Sequence, residues 1–164
     1  MTVERVQAEP ELRYGAEHAT TVIGQDDGIL YGYTRQVATS DIGNLPSEDE
    51  ATQIAYDFLE AIDPEYAAGL TLQWAEQHDE IVTDTDGTEH TVAGIKVKNH
   101  HDNGLYAWVI VGEGGQIITY ERDVTWNYEQ ARRSTAMWLH DAWITAHEGN
   151  GHELPTPAAP ADAR

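Results

Sequence analysis

Eight histidines stand among 29 acidic residues in a chain without cysteine, so imidazole and carboxylate are its only ordinary ligands for a transition metal. The densest group is His100-His101-Asp102, where one more partner from elsewhere would complete a site. His147-Glu148 precedes Gly149 and His152, but the spacing is not His-Glu-x-x-His, and the glycines would break the helix that motif needs. His140 and His147 are two helical turns apart, about 10.5 Å along the axis, too far to share one ion directly. Nucleophilic chemistry has Ser40, Ser47 and Ser134 to draw on, and none lies in Gly-x-Ser-x-Gly. Gly112-x-Gly114-Gly115 leads into a strand pattern, which leaves no helix amino terminus for a phosphate. Asp84-Thr85-Asp86-Gly87 lacks the remaining ligands of an EF-hand loop. No acid, base and nucleophile set stands at a recognisable spacing. The expectation is a protein that is no enzyme, with no cofactor and no metal; a His/carboxylate metal-dependent enzyme is an alternative.

Binding chemistry has better material. Tyr106, Trp108 and Trp126 lie in or beside the most strand-like stretch, and Arg132-Arg133 is the densest positive charge. Aromatic rings beside arginine are enriched where proteins bind other proteins, so these five residues are the expected contact set for a protein or peptide partner. Arg132 and Arg133 also have a plainer reading, as partners for the acidic sheet. The formal net charge of −20 repels phosphate backbones and anionic lipids, which argues against nucleic acid or membrane as a partner. Scattered through every segment, the acidity reads as a solubility bias. The functional alternative is an acidic inhibitor or immunity-type protein that neutralises a basic partner.

These residues need a scaffold, and its centre is Gly104 to Asp123, two runs of β-branched and aromatic residues around Gly112-Glu113-Gly114-Gly115. With the turn at 112–115, Val109 faces Ile118 and Ala107 faces Tyr120. Leu105, Ala107, Val109, Val111, Ile118 and Tyr120 then share an apolar face. Tyr106, Trp108 and Ile110 lie on the other, opposite Glu121, Thr119 and Ile117. A helix covers that second face, or a partner does.

Upstream, Ser47 with Glu50 three residues on makes a capping box, and Ala51, Ile54, Ala55, Phe58, Leu59 and Ile62 form one stripe before Asp63-Pro64. Asp26-Asp27-Gly28 joins strands at 20–24 and 29–37. Further strands are expected over 69–83 and 90–98, and residues 2–14 could form a short helix. A second helix is expected from Tyr128 to His147, with Asn127 as cap and Trp138 and Trp143 on its buried side. Gly149 to Arg164, rich in proline and alanine, reads as a disordered tail. The fold class is α+β: one domain over 1–148, an antiparallel sheet of hairpins with one amphipathic helix on a face and a C-terminal helix.

A capped helix from Ser47 to Ile62, then Tyr106, Trp108, Ile110, Gly115, Ile117 and Asp123 in a hairpin of the form Tyr-x-Val-x-Val, resembles the PepSY domain over about half of the chain. Some forty residues intervene between helix and hairpin, and Val124-Thr125-Trp126 stands where that family closes on Thr-Gly. The resemblance implies a binding or peptidase-inhibitory module without catalytic residues. The amino terminus has neither a basic nor an apolar leader region, and no apolar run reaches membrane-spanning length, so a cytoplasmic protein is expected.

Overall fold

A computed structural model describes all 164 residues. Its centre is a seven-stranded antiparallel sheet built from two meanders. The first contains β1 (Thr2–Gln7), β2 (His18–Ile23) and β3 (Leu30–Gln36); the second contains β4 (Leu70–Thr83), β5 (Glu89–His101), β6 (Tyr106–Gly112) and β7 (Ile117–Val124). They join where β3 pairs with β7, Gly32 to Glu121, Tyr33 to Tyr120 and Thr34 to Thr119. The order β1-β2-β3-β7-β6-β5-β4 leaves β1 and β4 as the edges. Residues 2–14 therefore open with a strand where a short helix was expected, because Val3 and Val6 pair with Val22 and Ala19 of β2. No helix is long and apolar enough to cross a membrane.

Helix α1 (Glu48–Ile62) starts where the capping box places it: the Glu50 amide donates to Ser47 Oγ and the Ser47 amide donates to Glu50 Oε2. Ala51, Ala55 and Leu59 then meet Ile95, Val97, Val109, Val111 and Tyr120, and the two alanines let helix and sheet approach closely. Each buried valine or leucine in such a seam contributes about 1.5–3 kcal/mol relative to its exposed state. Tyr56 adds a polar pin, its hydroxyl donating to Asn99 Oδ1 over 2.8 Å. The chain then turns through Asp63, which caps α2 (Pro64–Ala68) and holds Arg122 of β7 at 2.8 Å.

The central hairpin is present, but its register differs by two residues from the one expected: Val109 opposes Tyr120 and Trp108 opposes Glu121. Gly114 and Gly115 sit at φ of 66° and 77°, so the reversal takes up a helical turn, and a bulge follows between Ile110 and Val111. A slip of two keeps each side chain on its face, whereas the one-residue bulge flips those beyond it. Ile118 accordingly joins Trp108 and Ile110, and Ile117 packs on the helix side.

The expected helix from Tyr128 to His147 is reduced to α3 (Asp141–His147). Asn127 does accept a hydrogen bond from the Gln130 amide, but the turn ends at Ala131, whose φ is 51°, and β8 (Trp126–Asn127) pairs back on β9 (Arg132–Arg133). Residues 149–164, expected to be a disordered tail, are packed instead. Ala159 and Ala163 are buried with Ala136, Trp143 and Ile144, and the Trp143 indole donates to the Pro160 carbonyl over 3.1 Å. Small side chains that bring little area of their own are held here by the area of Trp138 and Trp143.

Candidate binding surface

Sheet register assigns the face opposite α1. Trp74, Glu76, His78 and Glu80 come from β4, and Lys96 and Lys98 from β5. Tyr106, Trp108 and Ile110 of β6, Thr119 and Glu121 of β7 and Thr34 and Gln36 of β3 continue it. One part lies under the segment after β9 and is closed. The other, towards β4, is open.

The closed part is polar at its centre. Glu121 takes a two-pronged ion pair from Arg133, at 3.1 and 2.7 Å, with both side chains only 6% exposed. Arg133 also donates to the carbonyls of Thr135 and Ala136, which fixes the covering segment to the sheet. Burial alone would push the Glu121 carboxyl up, but the Arg133 guanidinium and the nearby His140 ring outweigh it and hold it far below the usual carboxylate range. Beside this pair the Lys96 ammonium lies 4.0 Å above the Trp108 ring, and burial brings its pKa down to about 8 against the pull of Glu121. Thr34 and Thr119 share a 2.8 Å hydrogen bond across the junction of the meanders. Gly32 leaves room there for Leu139: a Cβ would stand 3.1 Å from the leucine Cδ1.

Around His18, Gln36, Glu80, His140 and Asp141 a cavity of about 210 Å³ remains. His18 Nδ1 donates to the Ala16 carbonyl in the neutral form, which burial favours by depressing the ring's pKa despite that bond. Its Nε2 and the Gln36 Oε1 have no partner. Asp141 closes the far end in an ion pair with Arg5 of β1 at 2.5 Å.

The open part is aromatic. The Lys98 ammonium lies 4.6 Å from the centre of the Tyr106 ring, 5.6 Å from that of Trp74 and 6.0 Å from that of Trp126. Tyr128, at the tip between β8 and β9, extends the cluster through a 2.7 Å hydrogen bond between its hydroxyl and that of Tyr106. Tyr128 is 73% exposed and Trp74 37%. The His100 ring packs edge-on against Tyr106.

The structure thus divides the five residues singled out from sequence. Tyr106 and Trp126 lie together on the open patch. Trp108 and Arg133 are buried, and neither presents a surface to a partner. Arg132 is turned to the C-terminal segment, donating to the carbonyls of Ala158 and Leu154 and pairing with Glu153 at 3.0 Å. Both arginines spend their charge inside the molecule. Sequence reasoning passed over Trp74, Lys98 and Tyr128. The available signal was that Lys96 and Lys98 are the chain's two lysines and alternate on one strand beside aromatic-bearing strands.

His100 and His101 do not join a metal set. His101 stacks on Tyr66 at 4.3 Å and accepts from the Asn103 amide through Nδ1, and no three His, Asp or Glu side chains are grouped to hold an ion. In comparisons with known proteins, no family model, no curated protein and no solved structure matches the chain.

Proposed function

We propose that the protein is a non-catalytic binding module whose protein or peptide partner docks on the open aromatic end of the sheet. Trp74, Tyr106, Trp126 and Tyr128 make the contact, with Lys98 between them. The observation that carries this reading is the cluster itself: three rings from three separate strands gather around one ammonium, a fourth, Tyr128, joins them through the Tyr106 hydroxyl, and two of the four are substantially exposed. Tryptophan and tyrosine supply large contact area with few rotatable bonds, which is why they dominate the energetics of binding surfaces. The module is of the kind the PepSY resemblance implies, it acts in the cytoplasm, and its partner is neither a nucleic acid nor a membrane.

Affinity capture from the native host with the wild-type chain and a Trp126→Ala/Tyr128→Ala variant as baits, followed by calorimetry on each partner specific to the wild type, tests the reading. The double variant should weaken the true partner at least about tenfold, as loss of hot-spot rings does. A partner untouched by the double variant but lost on charge reversal of the acidic surface would replace this reading with an acidic inhibitor that neutralises a basic target.

A further inference from the structure

The aromatic patch stops at β4, and β4 is a free edge. Its fourteen residues form the longest strand of the sheet, paired only with β5. Between Leu70 and Val82 no backbone group bonds outside that ladder, and no side chain takes the free positions. Most of its side chains are exposed, Leu72 and Ile81 among them at 43% and 56%. An open row of amides and carbonyls is a template for another strand. At the far end the template closes, because Thr83 donates its amide to the Gly15 carbonyl.

The charge on this edge selects what can occupy it. β4 carries Glu76, Asp79 and Glu80 and no lysine or arginine. A second copy is disfavoured: antiparallel pairing of two β4 strands about His78 sets Glu76 opposite Glu80 twice, and like charges directly opposite one another are destabilising. Each copy also brings a net charge of −20. We propose that the occupant is a basic, extended peptide segment that adds to β4 as an eighth strand. Its alternate side chains on one face fall beside Trp74 and the Glu76 and Glu80 carboxylates. This rests on the binding-module reading and adds to it the partner's conformation and charge: main-chain hydrogen bonds supply affinity, and the acidic edge with Trp74 beside it supplies selectivity.

The test uses the full-length chain, labelled with 15N, and an acetylated peptide alternating lysine and threonine over about ten residues, the length of a strand. A matching glutamate-threonine peptide and two backbone N-methylated forms, one for each parity of residue, complete the set. The lysine peptide should shift the amides of residues 70–82, and its glutamate counterpart should bind at least about tenfold more weakly. N-methylation should abolish binding at the parity that faces β4 and leave the other within about twofold, because successive residues of a strand direct their amides to opposite sides. Equal binding of the glutamate peptide, equal loss at both parities, or no shift along β4 would overturn the proposal. Shifts confined to Trp74, Lys98, Tyr106, Trp126 and Tyr128 without parity dependence would sink strand addition and leave the aromatic patch standing. Parity-dependent binding that survives Trp126→Ala/Tyr128→Ala would do the reverse.

Discussion

Under α1 the sheet presents Ile95, Val97, Val109, Val111 and Tyr120, and the helix meets them with Ala51, Ala55 and Leu59. On the opposite face the same strands present Lys96, Trp108, Thr119 and Glu121, and the chain covers them with Arg133, Leu139 and His140. The first seam needs only shape and apolar area, so a regular amphipathic helix suffices. The second must satisfy charge atom by atom, and an irregular segment that brings individual polar atoms to fixed points does this better than a helix. Placing the buried ion pair in the covered half also leaves the rings of the open half free for another molecule.

The sharpest way to break this contrast is to remove one member of the buried ion pair. Arg133→Met leaves Glu121 uncompensated and should cost about 3–5 kcal/mol in chemical denaturation, whereas Glu121→Leu with Arg133→Met should recover most of that loss. On the helix side Leu59→Ala should cost about 2–5 kcal/mol through the cavity it leaves, with no partner substitution able to restore it and no dependence on pH.

Stability against pH separates the faces further. Lys96 has a folded pKa of about 8, below the ordinary lysine value, so between those values the unfolded chain binds the extra proton and stability rises with pH. Thermal melts from pH 8 to 10 should show a gain on the order of 1–2 kcal/mol that Lys96→Met abolishes. Tyr120, raised to about 12, works in the opposite sense only above the ordinary tyrosine value, and so does not mask the gain. Towards acid the slope keeps the sign it has for Lys96. The depressed His18 begins to cost stability as pH falls below about 6.5, and the depressed Glu121 below about 4.3, each because the unfolded chain takes up its proton first. The smallest effect belongs to the open patch. Tyr128→Ala should change stability by less than about 0.5 kcal/mol while weakening partner binding, and a large loss of stability would mean that the ring belongs to the core.

What the sequence made legible follows the same division. The helix face could be read almost residue by residue, since capping, periodicity and turn glycines are local signals. Ser47, Glu50 and the stripe from Ala51 to Leu59 all take the places their spacing assigns. The opposite face could not be read this way, because its structure rests on pairings between distant positions. Arg133 is drawn to Glu121, which ends the second helix before it can start at Tyr128. Trp143 reaches the Pro160 carbonyl, which turns a proline-alanine run into packed structure. Of the candidate site, Tyr106 and Trp126 were visible as aromatics near a hairpin. Trp108 was visible too, but its burial depends on Lys96 lying across it, and alternation along one strand does not reveal a neighbour on the next.

The junction between β3 and β7 bears on how the molecule assembles. Each meander is built from contacts between consecutive strands and can organise locally, whereas joining them requires closing the chain between Gln36 and Ile117, an entropic cost met before any contact rewards it. Three residue pairs are a narrow seam for that task. The segment after β9 crosses it, tied to the second meander by Arg133, laid over Gly32 by Leu139 and tied to the first meander by Asp141 on Arg5. The two halves should therefore exchange as separate cooperative units, and a segment that follows both meanders in the chain locks them into one.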